Sequence, residues 1–85
     1  METLTVTKDA WLIVDKTGLK EFVIQNKTNQ PLRFGFFDAA PAASDTDAGF
    51  ILPSNVFYHD VFPATGNLFL KFTAASGKVA IDKRA

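Results

Sequence analysis

Cysteine is absent from this chain, which removes disulfides, thiolate metal ligands and cysteine nucleophiles together and fits folding in a reducing compartment. Histidine occurs once, at His59, so a zinc site needing several imidazoles is excluded unless subunits share ligands. An excess of charge of either sign is also missing. Nine basic and nine acidic residues, scattered rather than in blocks, give a formal net charge of +0, leaving no electrostatic footprint for nucleic acid or an anionic membrane. No apolar run approaches the ~18 residues needed to span a bilayer. The opening Met1-Glu2-Thr3-Leu4 lacks the basic start and apolar core of a signal peptide, so synthesis in the cytoplasm is expected. Catalytic signatures are lacking as well: there is no Gly-rich phosphate loop and no nucleophile elbow, and Glu2 and Glu21 do not form a recognisable acid/base pair. Ser54, Ser76, His59 and Asp60 could formally supply a triad, but nothing in the sequence places them together. A non-enzymatic protein without cofactor is expected.

What is present is greasy. Of 85 residues, 47% are apolar and nine are Phe, against one Trp and one Tyr, a balance that favours packing over sugar binding. A chain of this length forms one domain, residues 1–85, burying roughly 60–65% of its unfolded surface. Alternation dominates: Leu4 and Val6 oppose Thr3, Thr5 and Thr7; Phe22 and Ile24 share a face; so do Leu32, Phe34 and Phe36, then Leu68, Leu70 and Phe72, then Val79 and Ile81. Between these segments lie Lys8-Asp9, Asp15 to Gly18, Asn26 to Pro31, Pro53 to Asn55, Pro63 to Gly66 and Ala74 to Gly77, all rich in turn formers. Seven or eight short strands with turns about every ten residues predict an all-β fold, an antiparallel sandwich or a small jelly roll or barrel. Asn67 to Phe72 and Lys78 to Asp82 read as a closing hairpin. Asn26-Lys27-Thr28 matches a glycosylation sequon, which without an export signal is read as coincidence.

The least regular stretch, "FDAAPAASDTDAGFILP" at residues 37 to 53, sets three aspartates between apolar segments. Asp38, Asp45 and Asp47 could offer carboxylates to a cation. An EF-hand register, however, would put Phe50 where Gly is required and Val56 where a bidentate Glu is required. Pro41 among small alanines suits an extended crossing between sheets, with the aspartates keeping its outer edge wet. No metal site is assigned.

Phe37, Phe57 and Phe69 each fall on the face opposite the better-patterned apolar set of their strand. They either cover a second core layer or contact another copy or a larger assembly. As candidate interface residues we take Phe37, Phe57, Phe69 and Trp11 as apolar anchors, with His59 and Arg33 at the polar rim.

From the polar turn at Asn26 to Gln30 through the aromatic strand, the Pro/Ala/Asp-rich stretch, "LPSN" at Leu52 to Asn55 and the closing "GNLFLKF" and "GKVAID", the chain resembles small structural proteins of tailed-bacteriophage virions. The resemblance implies a compact β module on a capsid or tail. It would be made in the host cytoplasm and often oligomeric, with no active-site residues to carry over. It most favours a capsid decoration or cement protein bridging coat subunits. The alternative is a tail- or fibre-associated receptor- or carbohydrate-binding domain, for which Trp11 and Tyr58 would be the aromatic platform. Expected partners are copies of itself and phage coat or tail proteins.

Overall fold

The computed structural model describes residues 2–42, 44, 45 and 48–85. Among them the segments of period-two alternation become eight strands: β1 (Glu2–Val6), β2 (Leu12–Val14), β3 (Glu21–Asn26), β4 (Leu32–Phe37), β5 (Phe50–Leu52), β6 (Phe57–Val61), β7 (Asn67–Phe72) and β8 (Gly77–Arg84). Successive side chains on a strand point to opposite faces. The patterned apolar set of each strand therefore turns one way and meets the set of the facing sheet. Val6, Phe22, Ile24, Leu32, Leu68, Leu70, Phe72, Val79 and Ile81 are wholly buried there, each contributing about 1.5–3 kcal/mol by leaving water. Phe22 is the aromatic centre of this core, with the rings of Phe62, Phe36 and Tyr58 at 4.9, 6.0 and 6.2 Å.

One sheet has the order β1-β8-β3-β6 and the other β2-β7-β4-β5, with every pairing antiparallel. The pairs β1·β8, β2·β7, β3·β6 and β4·β5 are nested, as if one long hairpin had been rolled on itself. The β3·β8 and β4·β7 pairings then seal the two sheets. This is the strand order of a jelly roll, an eight-stranded two-sheet sandwich.

Two local expectations are corrected by this topology. The stretch after Phe37 does not cross between sheets. β4 and β5 are neighbours, with Leu32 opposite Leu52, Arg33 opposite Ile51 and Phe34 opposite Phe50, so the strands on either side of it lie in the same sheet, at the closed end of the rolled hairpin. The connection at Ala74 to Gly77, expected to close a hairpin, instead carries the chain from one sheet to the other, because β7 and β8 belong to different sheets. Alternation tells which face a residue occupies and is silent on which strand lies beside it. At Gly49, φ is +79° and a Cβ would run into the Phe34 carbonyl, so only glycine lets β5 begin against β4.

The corner between the sheets is held by Asn26, which is wholly buried. Its Nδ2 donates to the carbonyls of Gln30 at 2.6 Å and Leu52 at 3.2 Å, and its Oδ1 accepts from the N–H and hydroxyl of Thr28 at 3.1 and 2.7 Å. Both halves of the amide are thus satisfied, binding the end of β3, the turn into β4 and the end of β5. The sequon asparagine is a structural hub, and its nitrogen is already engaged.

Candidate functional site

The expected interface residues do not converge. Trp11, Phe37 and Phe69 meet on the outer face of the β2-β7-β4-β5 sheet. The ring centroids of Trp11 and Phe37 are 5.7 Å apart, edge to face, and those of Phe37 and Phe69 are 6.0 Å apart. Phe69 is 3% exposed, which gives it a packing role in the folded monomer and leaves it no surface for a partner. This is a second, smaller apolar layer outside the main core. Lys71 shares that face, opposite half-buried Arg33 across the β4–β7 ladder. It is 3% exposed, and its Nζ donates to the Phe72 carbonyl at 3.2 Å. The buried indole Nε1–H of Trp11 has no acceptor among the described residues. Sequence reasoning passed over Lys71, because a lysine alternating with leucines reads as solvent-facing.

Phe57 and His59 lie elsewhere, on β6, at the edge of the other sheet. Phe57 is 60% exposed. Of the six large apolar residues most exposed among those described, five belong to β5, β6 or the turn between them: Phe50, Ile51, Val56, Phe57 and Val61. The sixth is Ile13 on β2. Strands β5 and β6 are edge strands of opposite sheets joined by a four-residue turn, 53–56, so this side of the sandwich is open and apolar. Phe50 leans over the gap with its ring 5.7 Å from Phe34, which also contacts Tyr58 of β6 at 4.7 Å.

The backbone of β6 is half used. Phe62 N–H donates to the Lys20 carbonyl and Asn26 N–H to the Val56 carbonyl. Both pairs lie in the register that sets Glu21 opposite Val61 and Gln25 opposite Phe57. In an antiparallel ladder bonded and non-bonded pairs alternate, so residues 56, 58, 60 and 62 bond to β3 while Phe57, His59 and Val61 turn their N–H and C=O groups outward. One outward donor is occupied locally, since Val61 N–H is bound by Asp60 Oδ1 at 2.8 Å. The other oxygen of Asp60 accepts from the Tyr58 hydroxyl at 2.6 Å. That hydrogen bond, helped by burial, pushes the phenol up to about 12.

Alternation sets His59 and Asp60 on opposite faces of β6, His59 outward and Asp60 toward the core beside Phe22, so the two cannot act as an orienting pair. His59 Nε2 instead stands 3.6 Å from Glu21 Oε2, and Glu21 is also 3.8 Å from Arg84, an arrangement of exposed charges that adds little stability. Asp38 is exposed, Asp45 Oδ1 accepts from Ala48 N–H at 3.1 Å, and Asp47 lies outside the described residues. Among the described residues no group of three His, Asp or Glu is placed to hold a metal ion.

The geometry therefore offers binding surface, an apolar sheet edge with unused backbone groups, and no assembled catalytic constellation among the described residues. No protein-family model matches the chain, and neither the curated proteins nor the solved structures contain a match to it.

Proposed function

We propose that this chain is a non-enzymatic structural protein of a phage virion, a decoration or cement protein that holds neighbouring coat subunits together through the open β5–β6 side of its sandwich. The observation that carries the reading is that five of the six most exposed large apolar residues among those described, Phe50, Ile51, Val56, Phe57 and Val61, belong to these two edge strands and the turn between them. Together these side chains expose on the order of 500 Å² of apolar surface around that edge. The nested strand order adds weight by analogy, because jelly rolls are used repeatedly in viral shells, though the fold alone does not specify a role. Adhesion here would rest on apolar burial and edge pairing, in keeping with a chain of zero net charge.

A glycan-binding role fits less well. Of its two candidate platform residues, Trp11 packs its ring against Phe37 and Tyr58 faces Phe34 and Phe22.

Cryo-electron microscopy of virions of the encoding phage tests the reading. The expected result is a small sandwich on the capsid exterior with residues 50–61 in its contacts, against coat protein or a second copy of the chain. Particles lacking the chain, or holding it by the β1–β2 side, would overturn it.

A further inference from the structure

The outward groups of β6 are self-complementary, and we infer that a second copy of this chain pairs with β6 antiparallel about a two-fold axis through His59. The inference rests on the reading of the β5–β6 side as an adhesive surface and names its first occupant. On such an axis Phe57 faces Val61 of the copy, Val61 faces Phe57, and the two His59 backbones face each other. The residues whose N–H and C=O point away from β3 are the same Phe57, His59 and Val61, so every pair across the axis can exchange both of its hydrogen bonds. A register shifted by one residue in one strand would face these groups with ones already bonded to β3. Val61 N–H exchanges Asp60 Oδ1 for the Phe57 carbonyl of the copy.

The side chains agree with the backbone. Phe57 and Val61 are 60% and 54% exposed, and an aromatic opposite a β-branched residue is a favourable cross-strand pair. Natural sheet edges are usually protected by Lys, Pro or a bulge. The outward side chains of β6 are Phe, His and Val, whereas at the far edge of the same sheet Glu2 of β1 is ion-paired with Lys83 of β8 at 2.8 Å. The two-fold also brings Phe50 and Val56 of both copies toward the seam. Burying all four apolar residues on each copy removes on the order of 800 Å² of side-chain surface from water, to which the paired β6 backbones add, close to the roughly 1,000 Å² that a specific dimer needs. The two β1-β8-β3-β6 sheets then continue into one across the axis, which is isologous and closed and so ends at two copies.

Sedimentation equilibrium of the purified chain tests this with a rescue by mixing. Phe57→Lys and Val61→Glu are each expected to raise the dimer dissociation constant at least about tenfold, since both contacts of their homodimers are spoiled. An equimolar mixture is expected to recover affinity to within about threefold of the parent, because the mixed dimer contains one Lys–Glu pair and one native Phe–Val pair. His59→Pro removes a donor that points away from β3, so it is expected to keep the monomer folded and abolish the dimer. The charge pair alters no backbone group and decides the matter should that variant unfold. A parent chain that stays monomeric at its highest soluble concentration, or single variants that weaken the dimer with no recovery on mixing, overturns the two-fold. Particle binding by a monomeric chain would still stand apart from that result, so the adhesive reading and the dimer fail separately.

Discussion

The ring of Phe37 lies over the backbone of Gly35, so closely that a Cβ on residue 35 would stand 2.6 Å from Phe37 Cζ. The missing side chain is what lets the ring fold back across β4 to reach Phe69 and Trp11. Gly35→Ala is therefore expected to displace Phe37, at a cost of about 1–3 kcal/mol from overpacking. Trp11 is the only tryptophan and packs on Phe37, so its fluorescence should change together with the denaturation midpoint. Unchanged emission and stability would mean the ring does not occupy that place.

Phe57 and Phe69 read alike in the sequence and should behave oppositely. Phe69→Ser removes a ring that is 3% exposed and is expected to cost about 3–5 kcal/mol, enough to unfold much of a domain this small. Phe57→Ser changes a surface residue and should stay within about 0.5 kcal/mol. Urea titrations of the two variants, run as monomers, make the comparison. Equal losses would contradict the assignment of one to packing and the other to the edge.

Asn26 is expected to resist every replacement. Asn26→Ala strands the Leu52 carbonyl and the Thr28 N–H and leaves the Thr28 hydroxyl and the Gln30 carbonyl only each other, at about 3 kcal/mol when several buried polar groups lose a partner. Asn26→Asp keeps the acceptor for Thr28 but turns a carboxylate oxygen toward two carbonyls, so it should not restore stability. Thermal unfolding that placed Asn26→Asp level with the parent would show that the Nδ2 bonds contribute nothing.

Tyr58 gives the fold a signature at high pH. Its phenol is raised to about 12 in the folded chain from the ordinary value of 10.0, first by its hydrogen bond to Asp60 and then by burial. The protonated phenol is thus the form that the fold favours. Its contribution is complete below about pH 10 and is lost as the pH rises through about 12. Absorbance titration of this single tyrosine should show the late midpoint, and Asp60→Asn should bring it down toward the ordinary value. A parent midpoint near 10 would mean the Tyr58–Asp60 bond is absent in solution.

The sequence by itself determined the strands and their inward faces. Period-two alternation is written locally, and burying a face such as Phe22 and Ile24 or Leu68, Leu70 and Phe72 repays the pattern whatever the neighbouring strand is. It also determined turn positions that call for glycine, as at Gly18 and Gly66, where φ is +76° and +81°. Which strands became neighbours was decided by the tertiary structure alone. Two antiparallel β segments with the same alternation can pair in one sheet or face each other across a core, which is why β4 and β5 proved to be neighbours in one sheet and residues 73–76 a crossing. The same non-local choice separated Phe69 from Phe57. Both sit opposite a well-patterned apolar face, but β7 lies between β2 and β4, where Phe37 can close over its outer side, while β6 is last in its sheet, has a strand on one side only and leaves Phe57 exposed. Exposure of an off-pattern aromatic is a property of its strand's place in the sheet, and that place arises from contacts between residues far apart in the chain.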